Sequence, residues 1–298
     1  MEYIELNDDK INHQEEGNFL KFLYSTVLGR CVLKVLICPS VSKLVGILLN
    51  TLISKPLIKR YVKKYDIDLG ERKFKSFNDF FKRENKIEKI SKNFKEFIST
   101  AESRITCYDI DESLIIDVKK SQYSVQELIQ DKELAKKYFG GLCVIYRLIP
   151  SDYHRYIFVD SGIQKKIKYI KGKLHTVSPI SHDKYKVFSE NSREVSLLKT
   201  DNFGDILQIE VGALCVGKIN NHSINKFKKY DEKGYFEFGG STIIQLIEKD
   251  KVILNDQIRK NTVNNIETKV TIGDVIGVAA NVTKKEKEIE KVSCDWWK

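Results

Sequence analysis

Residues 233–247 read KGYFEFGGSTIIQLI and hold the most informative local pattern in the chain. Two consecutive glycines, Gly239 and Gly240, leave the backbone free to adopt φ values that other residues avoid. Ser241 follows them directly, and the apolar run Ile243–Ile247 then continues as a buried strand would. From spacing alone, the Gly-Gly-Ser step predicts a tight hairpin or a bulge at the entry of that strand.

Two further stretches carry candidate chemistry. Residues 150–156 read PSDYHRY, where Asp152 stands two positions before His154. An aspartate so placed can orient and charge an imidazole for proton transfer, while the alternative is a surface turn with a hydrogen-bonded histidine. Residues 211–219 read VGALCVGKI, in which glycines inside an apolar strand indicate close backbone approach. Cys215 is the one nucleophile there, and it has no base nearby in the sequence.

The chain changes character near residue 97. Residues 18–65 place apolar side chains at helical spacing, and Ser76–Arg83 reads as a further short helix. Beyond residue 98, short runs of Val, Ile, Tyr and Phe alternate with turn residues. The predicted strands, with one helix at Tyr123–Ile129, are Leu114–Val118, Leu142–Ile149, Tyr156–Val159, Lys166–Ile170, Ile206–Val211, Tyr235–Phe238 and Thr242–Ile247. We expect an α+β fold in which an N-terminal helical region, residues 1–97, packs on a β-rich body, residues 98–298.

Composition and charge narrow the class of protein. With 42% apolar and 31% charged residues among 298, the chain has the composition of a folded protein. The net charge of +10 is uneven, because residues 1–16 carry −5 while residues 55–95 hold 14 Lys and Arg against 6 acids. A basic face of this kind meets an anionic membrane, nucleic acid or only water. Nucleic acid is the weakest choice, since the sequence contains no recognised nucleic-acid-binding motif.

The second apolar helix bears on membrane contact. Its uncharged run, Leu44–Ser54, is eleven residues long, whereas a spanning helix needs about 20. Lys59, Arg60, Lys63 and Lys64 follow it, so the helix either anchors at a membrane interface or packs on the protein's own core. The acidic N-terminus predicts no signal peptide. Six cysteines without a CxxC pair suit no zinc site, and they indicate a reducing, cytoplasmic setting.

Together these stretches resemble the phosphatidylserine decarboxylase family over residues 18–278. The matching segments occur in the family's order: SFNDFFKR (76–83), YSVQELI (123–129), DYHR (152–155), VGALCVGKI (211–219), GYFEFGGST (234–242) and ETKVTIGDVIG (267–277). The resemblance implies a carboxy-lyase that makes phosphatidylethanolamine and CO₂ from phosphatidylserine. It also implies internal duplication in a β-rich body that we expect to be a barrel-like sandwich.

The resemblance further implies how the cofactor is made. Ser241 would attack the carbonyl of Gly240, and the resulting ester would eliminate and hydrolyse to a pyruvoyl group at residue 241. The products would be a β chain, residues 1–240, and an α chain, residues 241–298. The pyruvoyl ketone would form a Schiff base with the substrate amine, with His154 as the proton-transfer group and Asp152 behind it. The implied partner is phosphatidylserine in an anionic membrane, met peripherally on the cytoplasmic face, and a homodimer is left open.

Two positions depart from the family pattern. Ile157 stands where the family usually has the histidine that activates the motif serine, and Glu102, followed by Ser103, replaces an Asp-Gly pair. A serine hydroxyl is a weak nucleophile until a base takes its proton. Glu102 can act directly as that maturation base, or His154 can serve both steps. His175 fills a place that is usually aromatic, which favours packing over a substitute role. The alternative function is a non-processing homologue that binds lipid or regulates.

Overall fold

The computed structural model describes residues 1–84, 87, 90–118, 121–182, 184–214, 218–238 and 241–280. Pro39 and Pro56 lie in the first turns of their helices, where the missing N–H breaks no helical hydrogen bond. The α-helices of these residues are α1 Asn18–Ser25, α2 Val27–Leu36, α3 Pro39–Leu49, α4 Lys55–Tyr65, α5 Phe77–Phe81, α6 Val125–Ile129, α7 Lys132–Ala135, α8 Pro179–His182, α9 Val187–Glu190 and α10 Asp256–Val263.

Strands are the main regular elements of the described chain beyond α5. In chain order they are β1 Glu2–Glu5, β2 Ile11–His13, β3 Glu96–Ile98, β4 Ser103–Asp109, β5 Ile115–Val118, β6 Ser121–Ser124, β7 Leu142–Leu148, β8 Arg155–Ile157, β9 Gly162–Ile170, β10 Arg193–Thr200, β11 Asp205–Val211, β12 Ile219–Asn221, β13 Lys226–Phe227, β14 Glu232–Phe236, β15 Ser241–Ile247, β16 Val252–Leu254, β17 Glu267–Val270 and β18 Val275–Ala279. Each predicted strand overlaps one of these, and the predicted helix at 123–129 overlaps α6.

Ten strands form the main sheet, in the order β13-β9-β10-β11-β15-β7-β4-β17-β1-β2. Neighbouring strands are antiparallel except for β1 and β17, which run parallel. The α+β class is therefore confirmed. The barrel-like form expected for the body is corrected, because among the described residues this sheet stays open between its edge strands β13 and β2.

The hydrophobic core lies on both faces of the central strand β15. All seven of its residues are buried, as expected for a strand covered on both sides. Ile243 and Ile247 face one cluster with Phe97, Phe158 and Phe236. On the opposite face, Ile244 and Leu246 pack with residues of β7, β11 and α6. Cys143 is buried there, as the sequence indicated, while Cys215 lies outside the described residues.

The N-terminal helices cover one end of the sheet. A cluster of aromatic and aliphatic side chains joins α3, α4 and α5 to Phe238, just upstream of β15. Tyr61 of α4 donates a hydrogen bond to the carbonyl oxygen of Pro150, in the turn after β7. Strand β8 pairs with β14 in a smaller three-stranded sheet, which brings the Asp-Tyr-His-Arg segment to the same end.

No single helix in the described part of the chain is both long and apolar enough to cross a bilayer. Helices α2 and α3, bent by 74° at their junction, reach that length and composition only as a pair.

Candidate functional site

Ser241 is the first residue of β15 and pairs with Leu148 at the end of β7. Its side chain is fully buried, and its Oγ has no hydrogen-bond partner among the described residues. Leaving a buried hydroxyl unpaired costs about 1–3 kcal/mol, so such a group calls for an explanation in reactivity or ligand binding. Gly239 and Gly240, the upstream part of the predicted cleavage site, lie outside the described residues.

Asp152 lies in the tight turn that follows β7. Its Oδ2 accepts a hydrogen bond from the backbone N–H of Ile149 at 2.8 Å, next to the residue that pairs with Ser241. The same carboxylate accepts hydrogen bonds from Arg104 at 3.1 and 3.2 Å. Burial raises the pKa of Asp152, against the opposing effect of Arg104. The carboxylate is thus held at the sheet end by an ion pair and a backbone N–H.

Glu102 immediately precedes β4 and turns toward the same loop. Its Oε2 accepts a hydrogen bond from the backbone N–H of Tyr153 at 3.1 Å. Burial raises the pKa of this carboxyl, and Asp152 adds to that rise, while the Arg83 guanidinium lowers it. A carboxylate in these surroundings is a stronger base than one on the surface, since its protonated form is favoured.

His154 is fully buried and immediately precedes β8. Its Nδ1 lies 2.8 Å from the carbonyl oxygen of Asp152, so Nδ1 carries the proton in the tautomer that this bond requires. The imidazole packs at a tilt of 40° against Phe81 of α5, with ring centroids 4.1 Å apart. The backbone of Asp152 therefore orients His154, whereas the Asp152 carboxylate is engaged by Arg104 and Ile149.

Ile157 is buried against the larger core cluster. Its N–H donates to the carbonyl oxygen of Thr100 at 2.9 Å, and the Thr100 hydroxyl donates back to the Ile157 carbonyl oxygen. These bonds place Ile157 beside the segment that carries Glu102. The position where the family usually has a histidine thus adjoins the candidate base, but it presents only an alkyl side chain.

Helix α5 supplies contacts that sequence reasoning did not assign. Asn78 accepts a hydrogen bond from the Phe238 N–H at 3.3 Å and donates one to the Gly46 carbonyl oxygen at 3.3 Å. Phe81 contacts both His154 and Phe238. The SFNDFFKR motif is the sequence signal for these contacts, since it places the buried Asn78 and Phe81 on one helical turn and the buried Arg83 just after α5.

His175 packs away from this group of side chains. Its ring stacks on Tyr185 at 4.0 Å between centroids, and its Nδ1 lies 3.4 Å from the Tyr24 hydroxyl. Burial lowers its pKa to about 4, so it is neutral at ordinary pH. These contacts favour the packing role. Of the other histidines, His222 lies 2.6 Å from Glu232 and is partly exposed.

A chain of buried polar groups runs beneath the central strands. Lys233 of β14 donates to Glu210 of β11 at 2.8 Å, and both side chains are fully buried. Glu210 also accepts from Gln208 at 2.9 Å, and Gln208 in turn accepts from Gln245 of β15. These bonds fix β14, which leads into the cleavage segment, to the sheet that carries Ser241.

Sequence comparisons place these features in a known group. The sequence profile of the phosphatidylserine decarboxylase family matches residues 77–278. A phosphatidylserine decarboxylase proenzyme 2 of Clostridium acetobutylicum is 47% identical over 271 residues, which cover 89% of this chain and 93% of that protein. Proenzymes of Clostridium novyi (41% identity, 87% and 92% coverage) and Clostridium botulinum (42%, 89% and 96%) are also similar.

The motif resemblance is confirmed by a profile match over more than half of the chain and by relatives aligned along most of it. The buried serine, the two carboxyl groups and the histidine all lie within or near that match. The chain belongs to the phosphatidylserine decarboxylase family.

Proposed function

We propose that the chain is a proenzyme that cleaves itself between Gly240 and Ser241 and then decarboxylates phosphatidylserine to phosphatidylethanolamine. The observation that carries the proposal is the Ser241 hydroxyl, which is buried at the entry of β15 and has no partner within the described part of the chain. Relatives named as proenzymes support it. The division into residues 1–97 and 98–298, with chains 1–240 and 241–298 after cleavage, is part of the same proposal.

Self-cleavage begins when Ser241 Oγ attacks the carbonyl carbon of Gly240. An ester forms as the carbon–nitrogen bond of that peptide breaks. Loss of the Cα proton of residue 241 then breaks the Cβ–O bond and releases Gly240 as a carboxylate. Water hydrolyses the remaining enamine through its imine, and ammonia leaves. The reaction needs a base for the hydroxyl proton and no external oxidant.

Glu102 is the group that we assign to this base. Its burial keeps the carboxyl more basic than that of a surface glutamate. It also contacts the loop after β7, and β7 pairs with β15, the strand that begins at Ser241. His154 is the second candidate, because it can serve maturation as well as turnover. With Ile157 in place of a histidine, we assign the proton to one of these two groups.

The surroundings of residue 241 fit the pyruvoyl group that the family implies. The Ser241 hydroxyl makes no hydrogen bond to a described residue, so its loss during maturation breaks no hydrogen bond to those residues. When present, the group supplies a carbonyl that draws electrons from the carbon losing CO₂. We assign the delivery of a proton to that carbon to His154, whose ring is held through Nδ1 and packs on Phe81.

The substrate is a membrane lipid, and the N-terminal helices suit its presentation. Leu44, Ile47, Leu48, Leu52 and Ile53 are exposed on and after α3. Basic residues of α4 follow directly. Apolar side chains beside cations favour binding in the headgroup region of an anionic bilayer. We therefore propose a peripheral location at the cytoplasmic membrane face.

Intact mass under denaturing conditions tests the maturation step. We expect two chains from the purified protein, with the smaller one starting at residue 241 and blocked by a pyruvoyl group. Ser241→Ala should remain a single chain of 34.6 kDa. A single chain from the unmodified protein would instead support the non-processing homologue, whereas release of CO₂ from phosphatidylserine is the readout of the activity itself.

Glu102→Gln separates the two candidate bases. Loss of a general base lowers a rate by about 10²–10⁴, so the precursor should persist for far longer on a denaturing gel. The pKa of Glu102 is raised, so lowering the pH protonates this carboxyl earlier than a surface glutamate. The unmodified precursor should therefore mature more slowly as the pH is lowered. Normal cleavage of Glu102→Gln would remove Glu102 from this role and leave it to His154.

A further inference from the structure

A cavity of about 510 Å³ separates α3 from the segment that leads into the cleavage site. Its polar lining comes from both ends of α3, from α5, and from the adjoining segments before β12 and after β14. The lining residues that matter here are Ser40, Ser42, Lys43, Asn78, Lys218 and Phe238. None of them takes part in the chemistry assigned above.

Ser42 is the observation that points to a ligand. Its side chain is 2% exposed, lines this cavity, and has an Oγ with no hydrogen-bond partner among the described residues. It lies in the first turn of α3, an eleven-residue helix that begins at Pro39. The amino end of a helix carries partial positive charge, so a hydroxyl there is well placed to donate to an anion.

The charged groups of the cavity also favour an anion. Lys43 forms no ion pair with any residue that the structure describes, and Lys218 lies 3.4 Å from Glu237. The two lysines and one glutamate leave an excess of one positive charge. A hydroxyl, a lysine and a helix amino end together form a typical setting for a phosphate group.

The position of the cavity favours the phosphate of a lipid as its ligand. Phe238 is three residues from Ser241, so their Cα atoms are at most about 11 Å apart. On the other side, Ile47 both lines the cavity and is 56% exposed, beside the exposed Leu44 and Leu48. A ligand with its polar head at the reactive residue can therefore keep its acyl chains along the apolar face of α3.

We propose that this cavity binds the phosphodiester of the phospholipid substrate, with Ser42 Oγ and Lys43 Nζ as donors to its oxygens. The inference rests on the proposed decarboxylase function and adds a specificity site to it. It predicts that the enzyme discriminates between a substrate with the glycerol phosphodiester and one with only the serine head.

Inhibition by dihexanoylphosphatidylcholine, used below its micellar concentration, tests the proposal. Its quaternary ammonium has no N–H and cannot condense with a carbonyl, while its phosphodiester is that of the substrate. We expect competitive inhibition of CO₂ release by the mature enzyme. In Ser42→Ala and in Lys43→Gln the inhibition constant should rise about tenfold, the effect of one lost hydrogen bond to a charged group. KM should rise similarly, with kcat little changed.

The controls separate this inference from the function on which it rests. Lys199→Gln, at the far end of β10, removes the same charge and should behave like the unmodified enzyme. Ser42→Ala deletes an unpartnered hydroxyl and should unfold at the same temperature or higher. Equal inhibition constants in all four proteins would overturn the site alone. Equal potency of inorganic phosphate would overturn the lipid assignment. An unmodified enzyme that releases no CO₂ would overturn the proposed function and the site with it.

Discussion

His175 shows how burial decides the charge of a single side chain. It is enclosed by Tyr24 and Tyr185, and Glu190 and Lys173 are the charged groups that act on it. In the unfolded chain a histidine has a pKa near 6.5, whereas in the folded protein it is about 4. Between these values the unfolded state binds the extra proton, so acid favours unfolding.

Replacing His175 with phenylalanine should weaken this pH dependence. The loss of unfolding free energy between pH 7 and pH 5 should be smaller in His175→Phe, by about 1 kcal/mol after allowance for solvent screening. Urea unfolding at both pH values, in a Ser241→Ala background that keeps the chain whole, measures the difference. Parallel pH profiles for the two proteins would contradict a neutral buried His175.

Candidate residues that belong to short contiguous motifs can be predicted from the sequence. Ser241 follows two glycines, and Asp152 and His154 share one tetrapeptide, so each could be picked before any contact was known. Asn78 could not be given its role, because its hydrogen bond to Phe238 spans 160 positions. The binding of the Asp152 carboxylate to Arg104 was also out of reach, since it depends on how β4 and β7 align.

At the scale of elements, strand β14 is tied to the main sheet by the buried Lys233–Glu210 pair. Neither side chain is exposed, and Glu210 also accepts a hydrogen bond from Asn221 at 3.0 Å. A buried ion pair gains little over a well-packed apolar pair, but removing one partner leaves the other charge without compensation. The pair therefore fixes the position of β14 more than it adds net stability.

Lys233→Met should lower the free energy of unfolding by about 3–5 kcal/mol. The double variant Lys233→Met with Glu210→Gln should recover much of that loss, because no charge is then left buried. Lys269→Met, which breaks the exposed pair with Glu5, should cost less than about 1 kcal/mol. Urea titrations of the three variants in the Ser241→Ala background measure these changes in the free energy of unfolding. Equal losses for Lys233→Met and Lys269→Met would contradict the argument.

The amino-terminal hairpin was not predicted from the sequence. Strands β1 and β2 are rich in acidic and amide residues, which strands usually disfavour, yet β1 pairs with β17 from Tyr3 to Glu5. The open edge of β17 sets this pairing, and no property of residues 1–13 alone reveals it. The helices over 18–65 were predictable because apolar spacing and two prolines mark them locally.

At the scale of the whole molecule, the exposed apolar face of α3 and the turn after it lies beside the basic helix α4. Ile53 is 85% exposed and Leu52 is 67% exposed, without any covering element among the described residues. Contact with an anionic bilayer would bury these side chains and bring lysines of α4 near lipid phosphates.

Ile53→Glu should weaken binding to vesicles that contain phosphatidylglycerol by about tenfold or more, since it removes apolar burial and adds a repelled charge. Val263→Glu is the matched control, because Val263 is 81% exposed on α10, outside the helical region. Vesicle sedimentation at low and high salt measures both. Equal loss of binding in the two variants would contradict a docking face at α3.

The place of β15 between β11 and β7 gives the proposed maturation a lasting consequence. Cutting before Ser241 makes two polypeptides that share one sheet, with a central strand of the smaller piece held on both sides by the larger. The reactive group forms only once, in a folded precursor that still possesses its serine. A mature molecule that unfolds can recover its fold only when the two separate chains meet again, because the peptide bond that joined them is gone. The rate of unfolding then limits the working life of the enzyme, so natural selection acts on kinetic persistence as well as on equilibrium stability.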